Sequence, residues 1–226
     1  MKGALAAILL CAAQAASAGV DLNGITWHPV NPQEPLTPAD GSPVPLLPDA
    51  RETYRRNQES LKAGKDEFDM TRRCQPPGLP RILSQPMPFE FLQRDEIILV
   101  VYQWNHLVRV VEMDVPQAEP IGPAFLGQSV GHWEADTLVI DTIAFNDTTL
   151  LDDLGMPHSE SLHLTERYHL ANDAQRLQLQ LTIEDPQTFS KPWQAEFEFR
   201  ADPGGRLAED VCVEREGIIF WNGDEQ

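Results

Sequence analysis

The sequence predicts an all-β fold: an antiparallel β-barrel of eight or nine short strands with a proline-rich N-terminal arm and one short helix. Three observations lead there. From residue 88 onward apolar and polar residues alternate with a period of two, in runs that each read as a strand. Turn-forming clusters such as Glu134-Ala135-Asp136, Asn172-Asp173-Ala174 and Asp202-Pro203-Gly204-Gly205 separate most of these runs. No helical pattern lies between them, which excludes a parallel sheet built from strand-helix-strand units.

The chain divides into three parts. Residues 1–18 read as a secretory signal peptide, with Met1-Lys2 as the positive start, Ala4 to Ala13 as the apolar run and Ala16-Ser17-Ala18 as the cleavage pattern. That run is too short to span a bilayer, and no later segment reaches about 20 apolar residues, so no stable membrane anchor is expected. Residues 19–87 form the arm. Of the 19 prolines, 12 lie between Pro29 and Pro88, so residues 28–48 cannot be a regular helix or a central strand and should wrap over the domain. Residues 49–64 are the helix, with Asp49 as N-cap, Glu52 three residues on and Gly64 past the end. Its apolar face, Ala50, Tyr54 and Leu61, is thin and predicts weak packing.

Residues 88–226 are the barrel domain. The runs are PFEFLQ, EIILVVYQW, LVRVVEM, AFLGQSVGHW, TLVIDTIAF, LHLTERYHL, RLQLQLTIED, WQAEFEFR and EDVCVER. The signal peptide predicts export to the periplasm or beyond the cell. Cys74 and Cys212 then remain, and two cysteines in an oxidising compartment suggest one disulfide, from the start of the domain to its last strand; two buried free thiols are the alternative.

Charge narrows the partners. Lys and Arg total 17 against 35 Asp and Glu, a formal net charge of -18. Such a chain repels phosphate backbones, which argues against a nucleic-acid partner. The acidic pairs Asp152-Asp153 and Asp224-Glu225 read as solvated surface.

Strand faces show where polar groups go inside. In LHLTERYHL, Leu162, Leu164, Tyr168 and Leu170 share a face with Glu166. A buried carboxylate costs several kcal/mol unless paired or protonated, so Glu166 needs a fixed partner or a raised pKa. In RLQLQLTIED the leucine row ends at Asp185. In TLVIDTIAF the inward row is undecided, and Asp141 is a second interior carboxylate if Val139 and Ile143 face in. The longest break, residues 145–161, carries Asn146, Asp147, His158 and Ser159, and a loop of that length in a compact β domain is often functional.

Several of these segments resemble a family of secreted bacterial proteins, largely uncharacterised. The matching stretches are CQPPGLPR, GHWEADTLVIDTIAFND, PHSESLHLTER and EDPQTFSKPW, over roughly residues 70–215. The resemblance implies a common fold and a common site, and it supplies no reaction. The family pattern carries His158, His163, Glu166 and Trp193.

These residues suggest a lipocalin-like barrel with polar chemistry at or inside its mouth. In the leading expectation His158 and Glu166 form an acid/base pair with Asp141 or Asp185 supplying charge, because His titrates near neutral pH and a desolvated Glu is pushed toward it. Tyr102, Trp104, Trp133 and Trp193 would wall the substrate, Asn146 would contact it, and Arg109 or Arg81 would neutralise an oxyanion. The expected function is an exported enzyme of lyase, isomerase or cyclase type, acting without a cofactor or resident metal on a small apolar or aromatic molecule. One alternative is a lipocalin-like binding protein in which Glu166 is a structural carboxylate paired with an arginine. Another is a metal-dependent hydrolase or lyase using His158, His163 and Glu166. That is weakened because His163 and Glu166 fall on opposite faces of one strand.

Overall fold

The computed structural model describes residues 19–171, 174–215 and 217. The signal-peptide segment, Asn172-Asp173 and the pair Asp224-Glu225 lie outside the described residues. The chain forms a closed barrel of nine strands, β1 (Ile25–Pro29), β2 (Phe89–Gln93), β3 (Ile97–Tyr102), β4 (Val108–Met113), β5 (Gln128–Glu134), β6 (Thr137–Ile143), β7 (His163–Ala171), β8 (Arg176–Glu184) and β9 (Trp193–Pro203), in sequence order around the wall. Helix α1 (Pro48–Lys62) and the one-turn α2 (Cys212–Arg215) lie outside it.

Eight of the alternating runs become strands. The departures have physical reasons. The first strand comes from the arm: Ile25–Pro29 pairs with β9 from Ile25↔Pro203 to Pro29↔Phe199, and with β2 through Thr26↔Glu90 and Trp27↔Phe89. This pairing closes the sheet, so EDVCVER finds no free edge. It turns into α2 instead, with Cys212 buried. The barrel is mixed rather than wholly antiparallel. The proline-bearing connection after β4 carries the chain back before β5 starts, so β4 and β5 run parallel over Val111–Met113 and Ser129–Gly131. Helix α1 starts at Pro48 and has Leu47, not Asp49, as its uncapped N-cap residue. None of its residues is buried.

The interior is filled by side chains, as in small barrels generally. Phe89 meets Phe199 at 4.9 Å and Phe91 at 5.6 Å, and Phe91 meets Tyr168 at 5.5 Å. The rows Leu177, Leu179, Leu181, Ile183 and Ile98, Val100, Tyr102 are fully covered. Beyond β1 the arm follows β9: Val30 N donates to the Glu198 carbonyl and Ala39 N to the Gln194 carbonyl. A disulfide joins Cys74 to Cys212, which sits on α2 rather than on a last strand.

Candidate functional site

The predicted catalytic trio falls in three places. Glu166 is inside the barrel and fully buried. Its carboxylate takes both terminal nitrogens of Arg109 from β4, Nη1 to Oε1 at 3.0 Å and Nη2 to Oε2, and accepts the Tyr168 hydroxyl at 2.7 Å. Arg109 also donates from Nε to Ser129 Oγ at 2.9 Å and from Nη2 to Thr142 Oγ1 at 2.6 Å. Burial opposes the guanidinium's charge, but Glu166 more than offsets this, and Arg109 is held above its ordinary range. Desolvation pushes Tyr102 up to about 12 and Tyr168 well above its usual value, so both phenols stay protonated. Both oxygens of this carboxylate are engaged inside the barrel, Oε1 by Arg109 and Tyr168 and Oε2 by Arg109. Glu166 and Arg109 thus form a paired group in the barrel interior, and Tyr102 is buried there with them.

Asp141 lies on the outer wall, because Leu138, Ile140 and Thr142 are the inward row of β6. There it accepts from Thr165 Oγ1 at 2.8 Å and sits 3.1 Å from His163 Nε2, while His163 Nδ1 is 3.2 Å from Glu184 Oε2. His163 and Glu166 face opposite sides of β7, as their spacing requires.

His158 occupies the third place, in the long loop, and it has the arrangement with chemical content. It is 6 % exposed. Its Nδ1 lies 3.0 Å from the Ser159 carbonyl and its Nε2 2.7 Å from Thr149 Oγ1. A carbonyl only accepts, so Nδ1 carries the proton; in the neutral ring Nε2 then accepts from the Thr149 hydroxyl. Ser159 is itself fixed by Asp185 at the end of β8, whose oxygens take the Ser159 N–H and hydroxyl at 2.7 Å each. The result is a chain of contacts Asp185–Ser159–His158–Thr149. The Phe145 ring packs edge-on to the imidazole at 6.2 Å. Gly78, at φ +78°, backs directly onto Thr149: a Cβ there would lie 2.6 Å from the Thr149 Cβ. The stretches CQPPGLPR, FND, PHS and EDP therefore meet at this one point.

Thr149 also lines a cleft of about 420 Å³ between the loop, α1 and the segment before Cys74. Phe68, Met70, Leu150 and Pro157 make its apolar walls, with Asp147 at the rim. Two larger clefts, about 520 and 550 Å³, lie on the outer wall of β7, β8 and β9. Solvent-facing residues such as Arg167, Gln180 and Glu196 line the first; exposed Lys191 and Asp40 with the buried Trp193 line the second. The smaller cleft is the better candidate because, of the three, it alone is lined by Thr149, the partner of His158.

The loop's other acids hold it in place. Asp152, 1 % exposed, accepts the Tyr54 hydroxyl at 2.6 Å and the N–H groups of Leu154 and Met156. Asp153 takes Arg81 Nε at 2.6 Å, and Arg81 is bidentate to Asp69. The pair expected on the solvated surface is thus a clamp between loop and arm, and Arg81 is consumed by it. Asn146 closes a local turn through Thr148. Trp133 is half-buried, its indole covered by the backbone of Gly19, and Trp104 lies under the Arg215 guanidinium at 5.1 Å. Thr149 escaped the sequence reading because a loop residue carries no periodic signal.

Burial lowers the His158 pKa below its ordinary 6.5, against the Ser159 carbonyl and the fields of Asp185 and Asp147. Unfolding at acid pH must then take up a proton that the folded ring refuses. This contribution to stability is whole above about pH 6.5 and declines as pH falls toward the lowered value. Between about pH 7 and about pH 5 the unfolding free energy of His158→Gln should fall less steeply than that of the parent chain, read from urea titrations. Identical slopes would mean that the ring is not buried neutral. Comparison with known proteins adds nothing to this geometry: no family model matches the chain, and no curated protein matches it.

Proposed function

We propose that this protein is an exported enzyme that does acid/base chemistry, without a cofactor, on a small and largely apolar molecule held in the cleft beside Thr149. One observation carries the reading: a buried, neutral imidazole, its tautomer fixed by a carbonyl, accepts from the hydroxyl of Thr149, a residue that lines an apolar cleft. Base and orienter have the relation that proton transfer needs. A proton leaving a bound molecule passes to the Thr149 oxygen as its own proton moves to His158 Nε2, and it returns along the same line at another atom. An elimination, isomerisation or cyclisation has that balance. The Cys74–Cys212 disulfide fits an oxidising compartment, in keeping with cleavage after Ala18.

The test has two stages. A panel of small apolar and aromatic compounds is screened by thermal shift, and the compounds that bind are followed for conversion. Thr149→Val and His158→Gln should keep the thermal shift and lose about 10²–10⁴-fold in turnover, the range for one general acid/base group. For His158→Gln the acid limb of the pH–rate profile should also vanish, which a merely structural role would not produce. Unchanged turnover in both variants would sink the assignment. Binding without turnover in the parent chain would instead support the lipocalin-like carrier, a reading favoured by the depth of His158 behind Thr149.

A further inference from the structure

The cleft beside Thr149 is apolar but not neutral. Among the described residues that line it, Asp147 alone is charged. Asp147 is exposed, and among the described residues its carboxylate takes no hydrogen bond and no ion pair. The two residues after it are short of protons to give. The Thr148 hydroxyl donates to Asn146 Oδ1 at 2.6 Å, and the Thr149 hydroxyl donates to His158 Nε2 at 2.7 Å. With those protons committed, each hydroxyl has only lone pairs left for a ligand. Asp147, Thr148 and Thr149 all line the cleft, so three successive residues there offer acceptors. The amides of Asn57 and Gln75 can serve either way, and Thr53 keeps a proton.

Charge sharpens this preference. Arginines near this side of the barrel have acids of their own: Arg81 is held by Asp69 and Asp153, and Arg72 Nε lies 2.8 Å from Asp66. The chain as a whole, at net charge -18, adds a field of the same sign as Asp147. An anion is therefore disfavoured at short and long range. A primary ammonium brings a positive charge and three N–H donors to a site that offers a carboxylate and lone pairs. Position suits the chemistry as well. The field of Asp147 is felt at His158. Residues 147 and 149 can be at most about 7 Å apart along the chain, so one small molecule can meet the carboxylate and Thr149 together.

We propose that the ligand of this cleft, which rests on the assignment of the cleft as the substrate site above, is a small primary amine. Its apolar body lies against Phe68 and Met70, and its ammonium pairs with Asp147. The test is equilibrium binding to the whole chain, read by calorimetry. Phenethylamine, cyclohexylmethylamine and hexylamine are each compared with the alcohol and the carboxylate of the same skeleton. At least one amine should bind about 3–10-fold more tightly than its alcohol, with the carboxylate weakest. Asp147→Asn should remove this preference and leave binding of the alcohol unchanged, and Asp147→Glu should retain it. Glu196→Gln, in the larger cleft on the outer wall, should leave it intact. Raising the ionic strength from about 0.01 M to about 1 M should shrink it. The proposal is overturned if no amine binds, if no amine binds more tightly than its alcohol, or if the preference survives Asp147→Asn. Loss of the preference in Glu196→Gln would place the amine on the outer wall and also overturn it. Binding is read without conversion, so the two readings fail separately. Neutral molecules turned over through Thr149 and His158, with no amine preference, would sink the amine alone.

Discussion

Glu166→Ala is expected to destabilise the fold by about 3–5 kcal/mol, because it strands the Arg109 guanidinium in the barrel interior without its counter-charge. Arg109 and Glu166 side chains are 1 % and 0 % exposed, so water cannot take over either partner's role. Arg109 would keep Ser129 and Thr142 as hydrogen-bond acceptors, but neither neutralises it. In a domain of this size the melting temperature should drop by roughly 6–20 °C. The double variant Arg109→Met, Glu166→Leu removes both charges and should be more stable than either single charge deletion, with a strongly non-additive cycle. Losses under about 1 kcal/mol in both single variants, read by urea unfolding, would show that water reaches the pair.

Opening the Cys74–Cys212 bridge is the second large effect expected. The cysteines are 138 residues apart in sequence, and the chain-entropy relation gives about 5 kcal/mol as an upper bound for a loop of that length. The bridge ties α2 to the segment that leads through Gln75 and Gly78 to the Thr149 wall of the cleft. Cys74→Ala with Cys212→Ala should therefore lower stability and loosen the cleft, whereas exposed single substitutions should do neither. Urea midpoints with and without reductant check the first point; hydrogen exchange at Thr148–Leu150 checks the second. A midpoint unmoved by reductant would mean that the thiols are unpaired in solution.

Alternation made the barrel legible because a half-buried strand must alternate. Eight strands and the inward place of Glu166 follow from that rule alone. The identity of its partner was also within reach: in LVRVVEM, Arg109 shares a face with Val111 and Met113, and an inward acid and an inward base belong together. What periodicity cannot convey is pairing between distant segments. Ile25–Pro29 is too short and too close to the prolines to read as a strand, yet it supplies the closure. Asp141 was ambiguous because Val139 and Ile143 on one row match Leu138 and Ile140 on the other. The loop resisted for a different reason. Asp152 and Asp153 look like surface acids until Tyr54 and Arg81 are brought to them from 98 and 72 residues away.

The closure by β1 also dictates an order of assembly. Trp27 faces Ala201, and Thr26 faces Asp202, so the first strand made must wait for the last before it can pair fully. The meander from β5 to β8 has short connections except for the long loop, and it can form while β1 holds only its two-residue pairing with β2. Until β9 is complete, the free edges of β1 and β8 stay open, and sequence-distant contacts of this kind form slowly. That interval is when a growing or newly released chain is most prone to pair with its neighbours through those edges.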